Sequence, residues 1–504
     1  MRTLIKNAKV YDGLGSFPFV ADVLIDGERI AKIALKIDEK ADKEVDASGL
    51  CLAPGFINTH SHSDLEVFRN KEMLHTLKQG ITTEVVGQDG SSVAPVTDEI
   101  VDELADNMAP LAGVIDKPYW WRSYGEYLDE VRKHNKSVKI EGLIGHGTVR
   151  MCVMGNDNRK PTDEELEAMK KLVEKCMLEG AKGISFGLIY PPGSYGLKEE
   201  IAEICKVVAK YDGLMMVHMR NEQDQLLESI DEMAYVARES GVRLHISHLK
   251  ALGYRNWGKG KQALEKIRAL KAEGIDVTFD QYPYEATCTG LKVVVPTWAY
   301  EGGETGFQNR LNDKEEYAKI QKGVAENVEA RGGAAKIQIA TVATPENKWM
   351  EGSNLEEISS RLKMSPEDAA LYILKHEGPS VVAIYFSISA DDVADIIQSD
   401  LGCVCTDGIM GASPHPRLYG AFTEVLSYYC REKHILTLEE AIRKMTSEPA
   451  RRLRLWDRGL VREGMTADLV LFDYEHVRNT NSYREPKKYP EGIVQVWVSG
   501  EERF

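Results

Sequence analysis

Along the first stretch of the chain, apolar and polar positions alternate with a period of about two. Leu4 to Tyr11, Val20 to Ile25 and Ile30 to Ile33 read as short strands, with Asp26-Gly27-Glu28 as a turn. The texture returns after Arg458, in Ala467 to Asp473 and Gly492 to Val498, so both ends are predicted to fold into one small β-sandwich. Between them the pattern changes: short apolar or β-branched runs alternate with segments of helical periodicity, the signature of βα units and a parallel sheet. The plainest helix opens on the capping-box pattern Thr162-Asp163-Glu164-Glu165. It continues with Leu166, Met169, Leu172, Val173 and Cys176 at helical spacing, as far as Gly180.

The strand candidates are Ile57 to Thr59, Thr82 to Val86, Lys139 to Ile144, Gly183 to Phe186, Leu214 to Val217, Leu244 to Ser247, Asp276 to Phe279, Val381 to Phe386 and Cys403 to Thr406. That is one more than an eight-stranded barrel needs, and Val381 to Phe386 is read as the surplus. From Glu285 to Ile339 the rhythm breaks, with Thr297-Trp298, Glu301-Gly302-Gly303 and a charged helix near Asp313 to Arg331. An excursion of this length predicts an insertion with a role such as a lid.

The expected fold class is α/β, a (β/α)8 TIM barrel with a β-sandwich from both termini and an insertion over the active-site face. The boundaries drawn are 1–53 and 456–504 for the sandwich, 54–284 and 340–455 for the barrel, and 285–339 for the insertion.

Composition confirms a packed globular chain: 504 residues, 43% apolar and 28% charged. A net charge of −16 disfavours phosphate backbones and anionic membranes, so neither a nucleic-acid nor a membrane partner is expected. The opening Met1-Arg2-Thr3-Leu4-Ile5-Lys6 lacks a signal peptide's apolar segment, and no run approaches the ~20 residues of a membrane span. A cytoplasmic location is expected. The eight cysteines are scattered and suggest no disulfide framework or Cys-x-x-Cys zinc site. Oligomeric state is left open, a homo-oligomer included.

The chemistry begins at His60-Ser61-His62. In extended backbone, positions i and i+2 point the same way, so the two imidazoles would face one point. Asp89, His218, His248 and Asp407 each follow a candidate strand, at the end where a βα barrel builds its active site. Four histidines and two aspartates converging there suit Zn²⁺ or a similar divalent ion.

The whole chain resembles the amidohydrolase superfamily, and most closely the N-acyl-D-amino-acid deacylases, or D-aminoacylases. The matching stretches run in order from Pro54-Gly55-Phe56-Ile57-Asn58-Thr59-His60-Ser61-His62 through Gly145-His146-Gly147-Thr148-Val149-Arg150, Gly187-Leu188-Ile189-Tyr190-Pro191-Pro192-Gly193, His218-Met219-Arg220 and Ile246-Ser247-His248-Leu249-Lys250. They continue with Tyr282-Pro283-Tyr284, Thr406-Asp407-Gly408, His415-Pro416-Arg417 and Gly464-Met465-Thr466-Ala467-Asp468. The resemblance implies one tight zinc held by His218 and His248, with His60, His62 and Asp407 around a weaker second position; another divalent ion is not excluded. The family usually supplies a cysteine from a Gly-Asn-Cys-Gly turn where this chain reads Gly87-Gln88-Asp89-Gly90. A carboxylate is a harder ligand that can bridge two ions, or it can simply begin a turn.

Hydrolysis of an amide needs one movable proton carrier, and Asp407 is the candidate general base. For the α-carboxylate of a small-molecule N-acyl-D-amino acid, the resemblance points to Lys250 and Arg417, with hydroxyls from Tyr190 and Tyr282. Tyr284, His146 and Arg150 are expected to pack behind these. Family members that take acidic side chains are expected to place a cation near the segment Val295-Pro296-Thr297-Trp298. It is neutral here, so apolar or neutral D-residues are expected, with Lys292 close enough to upset that. The rival readings are a cyclic amidohydrolase of the hydantoinase or dihydroorotase kind, and a metal-free binding module. The first often uses a carboxylated lysine on a barrel strand, and Lys182 precedes its strand rather than ending it.

Overall fold

Eight parallel strands carry the apolar runs into a closed ring, in a computed structural model that describes residues 1–112 and 121–504. They are β1 (Phe56–Asn58), β2 (Ile81–Val86), β3 (Lys139–Gly142, resuming at Ile144–Gly145), β4 (Gly183–Gly187), β5 (Leu214–His218), β6 (Arg243–Ile246), β7 (Val277–Gln281) and β8 (Gly402–Val404). Neighbours pair in parallel from β1 to β8. The ring closes where the Thr406 amide donates to Asn58 Oδ1 (2.9 Å), the Asp407 amide donates to the His60 carbonyl (2.9 Å), and Ser61 bridges Gly408. Apart from the start of β3 the strands are buried: Ile184, Val217 and Phe279 share a core with helix residues such as Val173 and Ile204, while Ile57, Val85, Leu143, Leu214 and Met216 form a separate cluster on the inner face.

The helix predicted after Thr162 spans Asp163–Leu178. Thr162 Oγ1 accepts from the Glu165 amide (3.2 Å), and the Glu165 carboxylate accepts from the Thr162 amide (2.7 Å). Two otherwise orphaned donors are thereby satisfied, which is why the helix starts there.

Strand Val382–Tyr385, within the run read as surplus, lies outside the ring. It pairs antiparallel with Thr287–Gly290 and Ile337–Thr341. This moves one boundary. Residues 340–385, assigned to the barrel from sequence, pack with the insertion instead, because its three-stranded sheet and the core of Leu291, Ile320, Ile358, Leu374 and Tyr385 need both halves. The charged helix runs Lys314–Ala330, capped by Asp313, which accepts from the Glu315 and Glu316 amides at 2.9 Å.

Both termini meet in one eight-stranded sheet with its own core of Ile5, Val23, Leu469 and Trp497. Its strand Cys51–Pro54, paired with Leu469–Phe472, leads through Gly55 straight into β1. A Cβ on Gly55 would come within 2.3 Å of the Thr82 side chain, so only glycine lets the chain cross so close to β2. Among the described residues, no helix is long and apolar enough to cross a membrane, and all eight cysteines are free.

Candidate metal centre

Five strand ends deliver the six expected ligands to one place. His60-Ser61-His62 runs on from β1, held in line by the Ser61 bridge to Gly408, and Asp89, His218, His248 and Asp407 come from the ends of β2, β5, β6 and β8. All six side chains are buried. The ligand atoms fall into two groups, each within 4.8 Å: His60, His62, Asp89 and Asp407, and Asp89, His218 and His248. Asp89 is common to both. Its Oδ1 lies 3.5 Å from His60 Nε2, 3.5 Å from His248 Nε2 and 3.8 Å from His218 Nδ1, while Oδ2 lies 3.6 Å from His62 Nε2. Asp407 Oδ1 stands 3.2 Å from His62 Nε2 and 3.6 Å from His60 Nε2.

These side chains fit a divalent ion. Both ring nitrogens of His60 and of His218, and Oδ1 of Asp89, are enclosed without a hydrogen-bond partner in the chain. Buried polar atoms are rarely left so, and imidazole nitrogens converging with a carboxylate oxygen are the donor set of zinc and its neighbours. Burial opposes the charge on Asp89, but His60 and His248 outweigh it and hold its pKa well below the usual carboxylate range.

The backbone is bent to achieve this. Asp89, His248 and Asp407 have φ of 54°, 36° and 47°, in the left-handed region that non-glycine residues seldom occupy. Such conformations persist where the surroundings over-determine them, typically at functional sites. At His248 the restraint is visible: its amide donates to Asp280 Oδ1 (2.5 Å), and Asp280 Oδ2 in turn takes the Thr59 hydroxyl (2.7 Å) and faces His245 Nε2 (3.1 Å).

The residues expected around the centre are placed as follows. Arg417, fully buried, sets Nη2 2.9 Å from Asp407 Oδ2 and 3.0 Å from the Cys288 carbonyl, with its guanidinium over the Tyr282 ring at 4.4 Å. Its Nε and Nη1, and the Tyr282 hydroxyl, have no partner in the chain. Tyr190 shares a hydrogen bond with Thr289 Oγ1 (2.9 Å), its ring 5.2 Å from that of His218. Lys250 is already engaged: Nζ lies 2.7 Å from both Glu222 Oε1 and His248 Nδ1. Lys182 sits at the opposite end of the barrel, 3.4 Å from Glu141. His146 and Arg150 turn to Glu200 (2.9 and 2.6 Å), and the Tyr284 hydroxyl accepts from Asn479 (3.0 Å).

Two carboxylates escaped the sequence reading. Glu222 touches His218 Nε2 (3.5 Å), His248 Nδ1 (3.3 Å) and Lys250, while Asp280 supports His248 from below. A strand-end position could have flagged Asp280. Nothing local distinguishes Glu222 from a turn glutamate.

The model of the amidohydrolase family matches residues 43–504. The chain is 33% identical over 500 residues to a D-aminoacylase of Alcaligenes xylosoxydans xylosoxydans, covering 99% of this chain and 93% of that one. It is also 33% identical over 498 residues to an N-acyl-D-glutamate deacylase of the same organism, covering 99% and 92%. Among solved structures, an N-acyl-D-glutamate deacylase from Bordetella bronchiseptica, complexed with zinc and a phosphonate inhibitor, superposes with a TM-score of 0.85 at 30% identity, covering 100% of this chain and 96% of that one. The chain belongs to the amidohydrolase family.

Proposed function

We propose that the protein is a zinc-dependent hydrolase that cleaves N-acyl-D-amino acids to a carboxylate and a free D-amino acid. The observation that carries this is the pair of ligand groups sharing Asp89, in a chain similar along its whole length to D-amino-acid deacylases. His218, His248 and Asp89 would hold one ion, and His60, His62, Asp407 and Asp89 a second. When bound there, a divalent ion supplies Lewis-acid polarisation of the amide and lowers the pKa of water from ~15.7 towards ~7.

The rest is the work of the chain. Asp407 would take the proton of the attacking water and return it to the leaving amine, a transfer worth about 10²–10⁴ in rate. Burial opposes its ionisation, but Arg417 at 2.9 Å, with His60 and His62, holds its pKa below the usual range, so it stands ready as the anion. Arg417 Nε and Nη1 and the Tyr282 hydroxyl are buried donors in want of an acceptor, which supports their receiving the substrate α-carboxylate. Lys250 adds positive charge beside them, balanced by Glu222. The placement of Lys182 away from the cluster speaks against a carboxylated-lysine centre of the cyclic-amide kind.

The test is a screen of paired D and L N-acyl amino acids on zinc-supplemented protein, with metal content measured alongside. Turnover confined to D enantiomers and at least one zinc per chain are expected. Equal rates on both enantiomers, or protein that retains no metal, would refute the reading.

A further inference from the structure

A cavity of about 880 Å³ opens between the barrel mouth and the insertion, lined on one side by Tyr190, His218 and Glu222 and on the other by Val295, Trp298 and Arg331. Arg331, at the end of helix Lys314–Ala330, also lines the inner pocket that holds Asp89, His218, His248 and Asp407. It is therefore the cation that spans the outer cavity and the centre.

Of the other lysines and arginines on the cavity wall, three have a carboxylate partner and Lys292 only a neutral amide, and none of the four lines the inner pocket. Arg220 is paired with Glu232 (2.9 Å), Lys319 with Glu316 (2.7 Å) and Lys322 with Glu326 (4.0 Å), while Lys292 donates to Asn107 Oδ1 (3.1 Å). Arg331 donates Nη1 to the Asn327 carbonyl (3.2 Å) and lies 5.7 Å from the centroid of the Tyr385 ring. Among the described residues no carboxylate is paired with it within 4.0 Å. It is half-buried, and burial pulls its pKa below that of free arginine. A guanidinium taken from water without an anion is unfavourable, and its planar fork matches a carboxylate.

Its position is firm. Gly253, with φ of +85° and no side chain, lets the Ala330 carbonyl come so close that a Cβ there would lie 2.7 Å from it. The helix end carrying Arg331 thus rests on the loop that follows His248 and Lys250. Tyr385, beneath the guanidinium, is buried and donates its hydroxyl to the Gly290 carbonyl (3.3 Å).

We propose that Arg331 binds a second carboxylate of the substrate, making dianionic N-acyl-D-amino acids the preferred class. This rests on the deacylase reading, in which Arg417 and Tyr282 receive the α-carboxylate. The second one belongs either to an acidic D side chain or to a dicarboxylic acyl group. In the latter case the neutral side chain expected from Val295 to Trp298 stands.

Two near-isosteric pairs separate the sources. N-acetyl-D-glutamate against N-acetyl-D-glutamine reads the side chain, and N-succinyl-D-leucine against N-butyryl-D-leucine reads the acyl group. The zinc-loaded wild type should favour the charged member of at least one pair. Arg331→Gln should reduce that preference about 10- to 100-fold, chiefly through KM, as expected for losing charge-assisted bonds. Arg331→Lys should keep part of it. A wild type that favours the neutral member of both pairs overturns the inference, with no variant needed. So does an Arg331→Gln enzyme with undiminished preference. Turnover of the neutral members alone leaves the deacylase reading standing, whereas turnover of none of the four substrates overturns both.

Discussion

At the barrel mouth, six ligand-type side chains hang from five strands of one hydrogen-bonded ring, and three of them sit in left-handed backbone that the ring holds in place. Across the cavity, Trp298, Lys292 and Arg331 come from a segment with its own small sheet and core, which meets the barrel at contacts such as that between Gly253 and Ala330. The first wall consists of converging metal-ligand types braced by Arg417, Lys250 and Glu222; the second mixes apolar surface with cations, of which Arg331 and Lys292 have no carboxylate partner among the described residues. Under the proposed function the contrast would place bond cleavage in the barrel and recognition of a second carboxylate in the insertion, and it can be broken from either side.

The largest effect should come from Asp407→Asn. It should lower kcat about 10²–10⁴-fold on every substrate alike while at least one zinc per chain, the ion assigned to Asp89, His218 and His248, is retained by elemental analysis. Loss on one substrate class only would move Asp407 to the selective wall. Asp89→Ala should next deplete metal from both ligand groups, since both share it, whereas His218→Ala should deplete one. Zinc per chain at fixed free zinc reads the difference, and equal depletion by the two variants would argue against a bridging Asp89.

Stability offers a smaller handle on the barrel. His75 is buried with no partner for Nε2, and burial pulls its pKa from 6.5 to about 4. Below pH 6.5 the unfolded chain binds a proton that the folded one refuses until about pH 4, so stability falls as pH drops through that window, by about 3 kcal/mol for this residue. His75→Gln should remove that share of the acid slope in denaturant titrations at pH 7 and pH 4.5. An unchanged slope would contradict it.

On the other wall, Gly253→Ala should cost about 1–3 kcal/mol in the same titrations, because its backbone conformation is confined to glycine and the new Cβ meets the Ala330 carbonyl. It should also erode the dianion preference without changing zinc content. Lost zinc would mean that the walls are not independent.

The barrel centre was largely legible because its rule is local: a strand-end histidine or aspartate points to one face whatever lies elsewhere. His60, His62, Asp89, His218, His248 and Asp407 could all be placed that way. The partners of Lys250 could not, since Glu222 reaches it across a turn that carries no pattern. Nor could the end of the insertion, because Val382–Tyr385 has the apolar texture of a barrel strand and only its hydrogen-bonded neighbours tell it apart.

From sequence alone came the periodicities, and with them nine candidates for the strands of an eight-stranded ring, the pairing of both termini in one β-domain and the list of residues able to hold a metal. Tertiary structure decided which of those residues share Asp89, that Lys250 is already paired with Glu222, and that Arg331 lines the inner pocket with no carboxylate partner among the described residues. The physical reason is range. Periodicity reports which face of an element is apolar, a property of neighbours a few positions apart. Whether a charge finds a partner depends on chain segments as distant as Gly253 and Ala330, which meet only once the fold has closed.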